Sequence, residues 1–308
     1  MAILTRSLLL SLWLLSTTAV ASTVHTLTSS DRTRSYWVHE PDEFDESKTY
    51  PVVLAFHGSS HIGVGFDGAA LELDIRLSLP IIPTDYSADR FFVYPNGEGG
   101  AWAGPTYGEV SVDEDLQFIN DLLADLKSEY EGAIDSNRIY ATGFSNGGGF
   151  VATLACDEEV GGQFAAFAPV AGSFYTDVNG TEGSCNPARS PLPILEIHGG
   201  VDDTVFYDGG EGEGGPLPAI SDWLGYWQER NGCTSDSTSD SDGGNVHHTT
   251  WTCNGVEGAL QHWKVDENGH NWPSKTINLN MAVSGFGPQP IEANDIVTEF
   301  FDSFSLDT

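Results

Sequence analysis

Five residues, Gly143-Phe144-Ser145-Asn146-Gly147, fit the pattern G-x-S-x-G. In that spacing a serine can sit on a sharp strand-to-helix turn with its hydroxyl exposed, provided small neighbours let the flanking backbones approach. Gly143, Gly147, Gly148 and Gly149 supply that room. A serine hydroxyl is a poor nucleophile until a base takes its proton, and the base must itself be oriented. The stretch IHGGVDDTVFY (197–207) follows an apolar run and offers Asp202 and Asp203 as rival acids. The stretch DENGHNWP (266–273) follows the last apolar run, and Gly269 frees the loop to project His270 as the base. Serine, then acid, then histidine is one of the chain orders in which such a set performs acyl transfer.

The negative oxygen formed when a serine attacks a carbonyl needs donors already in place. A nucleophile at a helix N-terminus gains one from the next backbone N–H, here that of Asn146. A second donor should come from FHGSS (56–60), after a buried strand; the amide of Ser59 is the candidate, with His57 and Gly58 shaping the turn. Losing one such donor typically costs about 2.7–4 kcal/mol of transition-state stabilisation, so this loop matters nearly as much as the catalytic side chains. The other histidines have plainer readings. His198 ends a strand and braces the acid loop, His262 lies inside a strand, His25 stands near the N-terminus, and His61 is a candidate to line the cleft.

These side chains must be held by strands and helices in alternation. Buried strands are expected at 50–57, 90–97, 138–144, 165–173 and 192–200, with a shorter one at 36–38 and another at 259–266. Helices are expected at 112–130, where Leu116, Ile119, Leu122, Leu123 and Leu126 recur at helical spacing, and at 147–155, 219–230 and 292–304. Acids at the start of the first helix and Lys127 near its end complement its dipole. Short apolar runs without strict alternation, separated by helices, imply a mainly parallel sheet covered on both faces: an α/β architecture. There is no internal repeat and no long linker, so residues 22–308 read as one domain. The stretch between Cys233 and Cys253 reads as a disulfide-closed polar hairpin or loop.

Residues 1–21 read as a secretory signal: Arg6, an apolar run from Leu8 to Leu15, and Ala19-Val20-Ala21 before Ser22. No later segment approaches the ~20 apolar residues a membrane helix needs. The formal charge is −33, from 45 acidic and 12 basic residues, which repels phosphate backbones and anionic lipid heads. Nucleic acid and membrane partners are therefore not expected. Four cysteines in an exported chain imply two disulfides. Of three possible pairings, Cys156–Cys185 and Cys233–Cys253 are favoured because each joins sequence neighbours across a polar loop. No cysteine or histidine cluster has zinc spacing, and His247-His248 reads as part of a loop with no partner nearby. Asp240-Ser241-Asp242-Gly243 opens like a calcium loop but lacks the remaining ligands, so no metal site is expected. Asn179-Gly180-Thr181 is the one glycosylation acceptor pattern.

Taken together, FHGSS, YPNG with the following Trp102, GFSNGG, HGGVDDTV and NGHNWP resemble the secreted feruloyl-esterase family. Its α/β-hydrolase relatives include acetylxylan esterases and polyhydroxyalkanoate depolymerases. The likeness runs from about Arg34 to Phe301. It implies the α/β-hydrolase fold, a cofactor-free serine esterase, and the acid at the fourth residue after the histidine of HG-x-x-D-x-x-V. Counted from His198, that residue is Asp202, with Val205 in place. The family motif ending in H-x-W-P places its histidine on His270. The family often has Cys or Gly where this chain has Ser59, and proline where Phe206 stands. The substrate implied is a hydroxycinnamate, such as ferulate, esterified to plant cell-wall arabinoxylan. Trp102, Tyr107 and Trp272 are candidates to line an aromatic acyl pocket, with the loop 99–108 covering the cleft. Acetylxylan, polyhydroxybutyrate, and an inactive carbohydrate-binding protein on the same fold are the alternatives.

Overall fold

The computed structural model describes residues 23–59, 86, 88–180 and 185–307. The signal read at 1–21, His61 and Thr181 of the acceptor pattern lie outside the described residues. The strands are β1 (Thr23–Ser29), β2 (Arg32–His39), β3 (Tyr50–Phe56), β4 (Phe91–Pro95), β5 (Ile134–Phe144), β6 (Ala166–Val170), β7 (Ile194–Gly199), β8 (Gly210–Gly212), β9 (Gly215–Leu217), β10 (Cys233–Ser241), β11 (Val246–Cys253) and β12 (Val256–Val265). The helices are α1 (Val112–Glu129), α2 (Asn146–Ala155), α3 (Ile220–Arg230), α4 (Leu279–Ser284) and α5 (Ala293–Asp302).

Ten strands form one sheet in the order β1-β2-β4-β3-β5-β6-β7-β12-β11-β10. The six central strands, β4 through β12 in that order, run parallel. Antiparallel strands finish both ends. Every residue of β3, β4, β6 and β7 is buried, because helices cover both faces and neither face alternates toward water. Leu122, Leu123 and Leu126 of α1, Val151 and Leu154 of α2, and Trp223 and Trp227 of α3 join the core on one face. Val297, Phe300 and Phe301 of α5 seal the other.

The long helix α1 begins with a capping box: the Ser111 side chain accepts from the Glu114 amide, and Glu114 accepts from the Ser111 amide. Asp115, in the same turn, is fully buried. It accepts from Arg34 at 2.8 Å and from the Ala103 amide at 2.8 Å, which ties α1 to β2 and to the loop 99–108.

Sequence and structure differ chiefly at the sheet ends. β1, the first half of β2, the β8–β9 ribbon and α4 carry no strong apolar period and were not expected. The polar stretch between Cys233 and Cys253 is a hairpin, as one reading had it, but it pairs with β12 and so extends the sheet. His247 and His248 are correspondingly strand residues with partners. His247 contacts Asp240 and Asp266 at 2.8 and 3.0 Å, and His248 stacks on Trp263 at 3.9 Å. Both disulfides pair as expected, Cys156 with Cys185 and Cys233 with Cys253. No helix among the described residues is long and apolar enough to cross a membrane.

Candidate active site

Because β3, β5, β7 and β12 are parallel, their carboxyl ends lie on one edge, where the loops carrying Ser59, Ser145, Asp202 and His270 emerge. Ser145 ends β5 and starts α2 with φ 56° and ψ −120°, a strained backbone for a residue bearing a Cβ. The flanking glycines make that turn possible. A Cβ on Gly147 would lie 2.3 Å from the Phe56 carbonyl oxygen and 2.4 Å from that of His57. One on Gly143 would lie 2.6 Å from the Gly147 carbonyl oxygen.

His270 Nε2 lies 2.9 Å from Ser145 Oγ, and its Nδ1 lies 2.8 Å from Asp202 Oδ2. The serine hydroxyl, the imidazole and the carboxylate therefore form one continuous hydrogen-bonded line. Asp202 is buried, and its Oδ1 accepts from the amides of Thr204 and Val205 at 2.9 and 2.8 Å. Burial opposes its charge, yet hydrogen bonds and charge from His198 and His270 hold its carboxyl well below the ordinary range. Asp203 points to solvent and, among the described residues, its side chain hydrogen-bonds the Thr204 hydroxyl rather than His270. Of the two rival acids, Asp202 is the one that reaches His270.

The acid and histidine loops nest because of another glycine pair. A Cβ on Gly199 would lie 2.3 Å from the Asn268 carbonyl oxygen, and one on Gly200 would lie 2.8 Å from Asp266 Cα. At Gly269 the constraint is the Phe286 ring, 2.2 Å from where a Cβ would sit. The Phe144 ring lies 4.8 Å from the His270 ring and supports it from the nucleophile's own strand.

On the other side of Ser145 the loop 57–59 is in van der Waals range, with a Cβ on Gly58 falling 3.3 Å from Ser145 Cβ. The Asn146 amide opens α2, where helix geometry leaves N–H groups without intrahelical partners. His57 is a brace with a fixed tautomer: Nδ1 donates to the Gly58 carbonyl at 2.7 Å and Nε2 accepts from the Gly97 amide at 3.0 Å. Tyr107 hydrogen-bonds both Ser59 and Tyr175, and its ring meets Tyr175 edge-on at 6.4 Å. Tyr175, unmarked in the sequence, thus joins Tyr107 beside Ser59. It also accepts from the Gly214 amide at 3.1 Å, which brings the β8–β9 ribbon to the same wall.

Two expected pocket residues are elsewhere. Trp102 is fully buried, stacked on Phe150 at 5.0 Å, with its indole N–H donating to the His57 carbonyl at 3.1 Å. Trp272 is also fully buried and donates to Asn294 of α5 at 3.0 Å. Both are core residues that shape the site from behind; neither lines it, because apolar rings beside glycine-rich loops complete the core under those loops. Asn179 is exposed.

No family profile matches the chain. Over 154 residues it is 34% identical to feruloyl esterase B of Piromyces equi, a match covering 48% of this chain and 27% of that protein. Over 181 residues it is 28% identical to a probable feruloyl esterase C of Aspergillus clavatus, covering 58% of each. The chain is similar in sequence to feruloyl esterases. It spans little more than half the length, or less, of these relatives. The acetyl xylan esterase structure from Aspergillus awamori aligns over 91% of this chain and 99% of that one, with TM-score 0.53 and 17% identity. That likeness concerns the fold, and the α/β-hydrolase fold is what this chain has: a large, mostly parallel sheet carrying its candidate nucleophile at a strand-to-helix elbow.

Proposed function

We propose that the chain is an exported serine esterase that hydrolyses feruloyl and related hydroxycinnamoyl esters of plant cell-wall polysaccharide. The observation that carries this reading is His270 bridging Ser145 Oγ and buried Asp202 at 2.9 and 2.8 Å, in a chain similar in sequence to feruloyl esterases. Ser145 attacks the ester carbonyl while His270 takes its proton, and Asp202 orients the imidazole and stabilises its charged form. The amides of Asn146 and Ser59 hold the negative oxygen of the tetrahedral intermediate. His270 returns the proton to the departing sugar hydroxyl. Water, activated by the same histidine, then releases the acid from Ser145. The mechanism calls on no cofactor.

Tyr107 and Tyr175 stand beside the Ser59 loop, where an aromatic acyl group would find a ring edge and phenolic hydroxyls. The strongly acidic surface and two disulfides suit an exported protein whose signal occupies residues 1–21 and whose catalytic unit is residues 22–308.

The test is side-by-side hydrolysis of methyl ferulate and 4-nitrophenyl acetate, with Ser145→Ala as control. Fast ferulate release that disappears in the variant supports the reading. Release of acetate alone keeps the nucleophile and moves the substrate to acetylxylan. Undiminished turnover in Ser145→Ala sinks the mechanism.

A further inference from the structure

Behind the catalytic carboxylate lies a second line of ionisable groups that acyl transfer does not use. His198, at the end of β7, is fully buried, and both of its ring nitrogens face acceptors. Nδ1 lies 2.9 Å from Glu196 Oε1. Nε2 lies 2.8 Å from the Val205 carbonyl oxygen and 3.4 Å from Asp202 Oδ2. A neutral imidazole has one N–H and one lone pair, so it would aim that lone pair at an oxygen lone pair on one side or the other. With Glu196 ionised, only the doubly protonated ring satisfies both.

The line continues past Glu196, which is itself fully buried. His262 Nδ1 lies 2.7 Å from Glu196 Oε2, off the direction of a good hydrogen bond, and its Nε2 meets the Tyr207 hydroxyl at 3.0 Å. Tyr207 turns its ring edge to His198 at 5.9 Å. Lys264 is the register partner of His198 on β12, but its ammonium lies over the Tyr207 ring at 4.6 Å and pairs with Asp266 at 2.8 Å. On the other side, β6 is Ala-Phe-Ala-Pro-Val and brings no titratable side chain. The groups facing His198 are thus Glu196 on its own strand, and Asp202 and Tyr207 from the acid loop. His262 lies beyond Glu196, and His270 beyond Asp202. Two carboxylates surround one imidazole.

We infer that His198 is a positioning residue held as a buried imidazolium, whose charge keeps Asp202 ionised and loosens the hold of the Asp202–His270 pair on a proton, leaving His270 free to act as base in more acidic media. This deepens the triad reading and rests on it. Glu196 is the counter-ion that lets a cation persist without water, and the Val205 carbonyl fixes the ring's plane. Burial alone would push the His198 imidazole down, but Glu196 and Asp202 together raise it to about 10. Glu196 stays below the ordinary carboxylate range because both histidines outweigh its burial. Removing the His198 charge lets the Asp202–His270 pair hold a proton more tightly, so the base is blocked at a higher pH.

Two readouts test this. In protein with ¹⁵N-labelled histidine, assigned with the His198→Gln variant, NMR should find both His198 ring nitrogens protonated at pH 8. A neutral ring there overturns the proposal. Separately, the rate at which a fluorophosphonate probe labels Ser145 should be followed against pH. His198→Gln should move its acid limb upward by about one pH unit or more, the shift expected when an opposite charge within ~4–6 Å is lost. A lowered rate with an unmoved limb reduces His198 to a structural brace and also overturns the proposal. Should His198→Gln not fold, Glu196→Gln should make wild-type-like His198 lose its second proton at a lower pH by NMR; no change refutes the counter-ion role. Failure of the wild-type protein to label at Ser145 would instead sink the triad reading, which the NMR result does not depend on.

Discussion

Asn146 Oδ1 accepts the amide N–H of Trp102 at 2.7 Å, and Asn146 Nδ2 donates back to the Trp102 carbonyl at 3.1 Å. The residue that follows the nucleophile therefore clamps the loop 99–108 by both ends of its amide. Through the Trp102 indole, that loop in turn holds the His57 carbonyl, at the base of the Ser59 turn. One side chain sets the spacing between the two amides proposed to receive the oxyanion.

Asn146→Ala should consequently leave the backbone amide in place yet lower kcat by roughly 10²-fold, within the range of losing an oxyanion donor. It also leaves two buried Trp102 groups unpaired, at about 1–3 kcal/mol each, which urea unfolding can measure. Near-wild-type kcat would mean that the clamp does not govern the site.

The two adjacent aspartates should separate cleanly. Asp202→Asn should lower kcat on the order of 10⁴-fold through loss of His270 orientation, whereas Asp203→Asn should change it less than about two-fold. Steady-state kinetics on a soluble aryl ester decides between them, and equal losses would contradict the geometry.

Gly147→Ala should be strongly damaging. Its Cβ would meet two carbonyl oxygens of the β3 end at 2.3 and 2.4 Å, and backbone cannot move aside as a side-chain tip does. A loss of at least about 1–3 kcal/mol is expected, with activity falling as the elbow shifts. A fully stable, fully active Gly147→Ala protein would rule out this close approach.

Stability should depend on pH from both sides. His198 is raised to about 10 in the fold, so its contribution is complete below its unfolded value of about 6.5 and is lost as pH rises through 10. Asp202 and Glu196 are held low, so their contributions are present above about pH 4 and are lost as the pH falls further. Thermal unfolding of wild type should show Tm falling between pH 7 and 10, with a smaller fall in His198→Gln. Parallel curves would show that His198 does not titrate with folding.

Local signals carried much of this in the sequence. Ser145 was legible because the elbow needs glycines at fixed offsets between a strand and a helix. The central strands were legible because burial on both faces leaves continuous apolar runs. The helix 112–130 was legible from its leucine spacing, and α1 occupies Val112–Glu129. β10 was not readable as a sheet strand. Beyond Cys233 it buries no face, so CTSDSTSDS has no apolar period, and its ladder with β11 holds it in place. Trp102 and Trp272 misled for a related reason: an aromatic ring in a loop has the same letter whether it faces a ligand or the core.

By itself the sequence determined the order of nucleophile, acid and base and the parallel sheet that puts three loops on one edge, and it favoured the disulfide pairing of near neighbours. Only the tertiary structure chose Asp202 over Asp203 by contact, moved two tryptophans into the core, and aligned His198, Glu196 and His262 behind the acid. The division follows from range. A turn, a period or a short loop is written in consecutive residues, whereas a contact across 66 residues, such as His262 with Glu196, exists only after β12 has registered against β7.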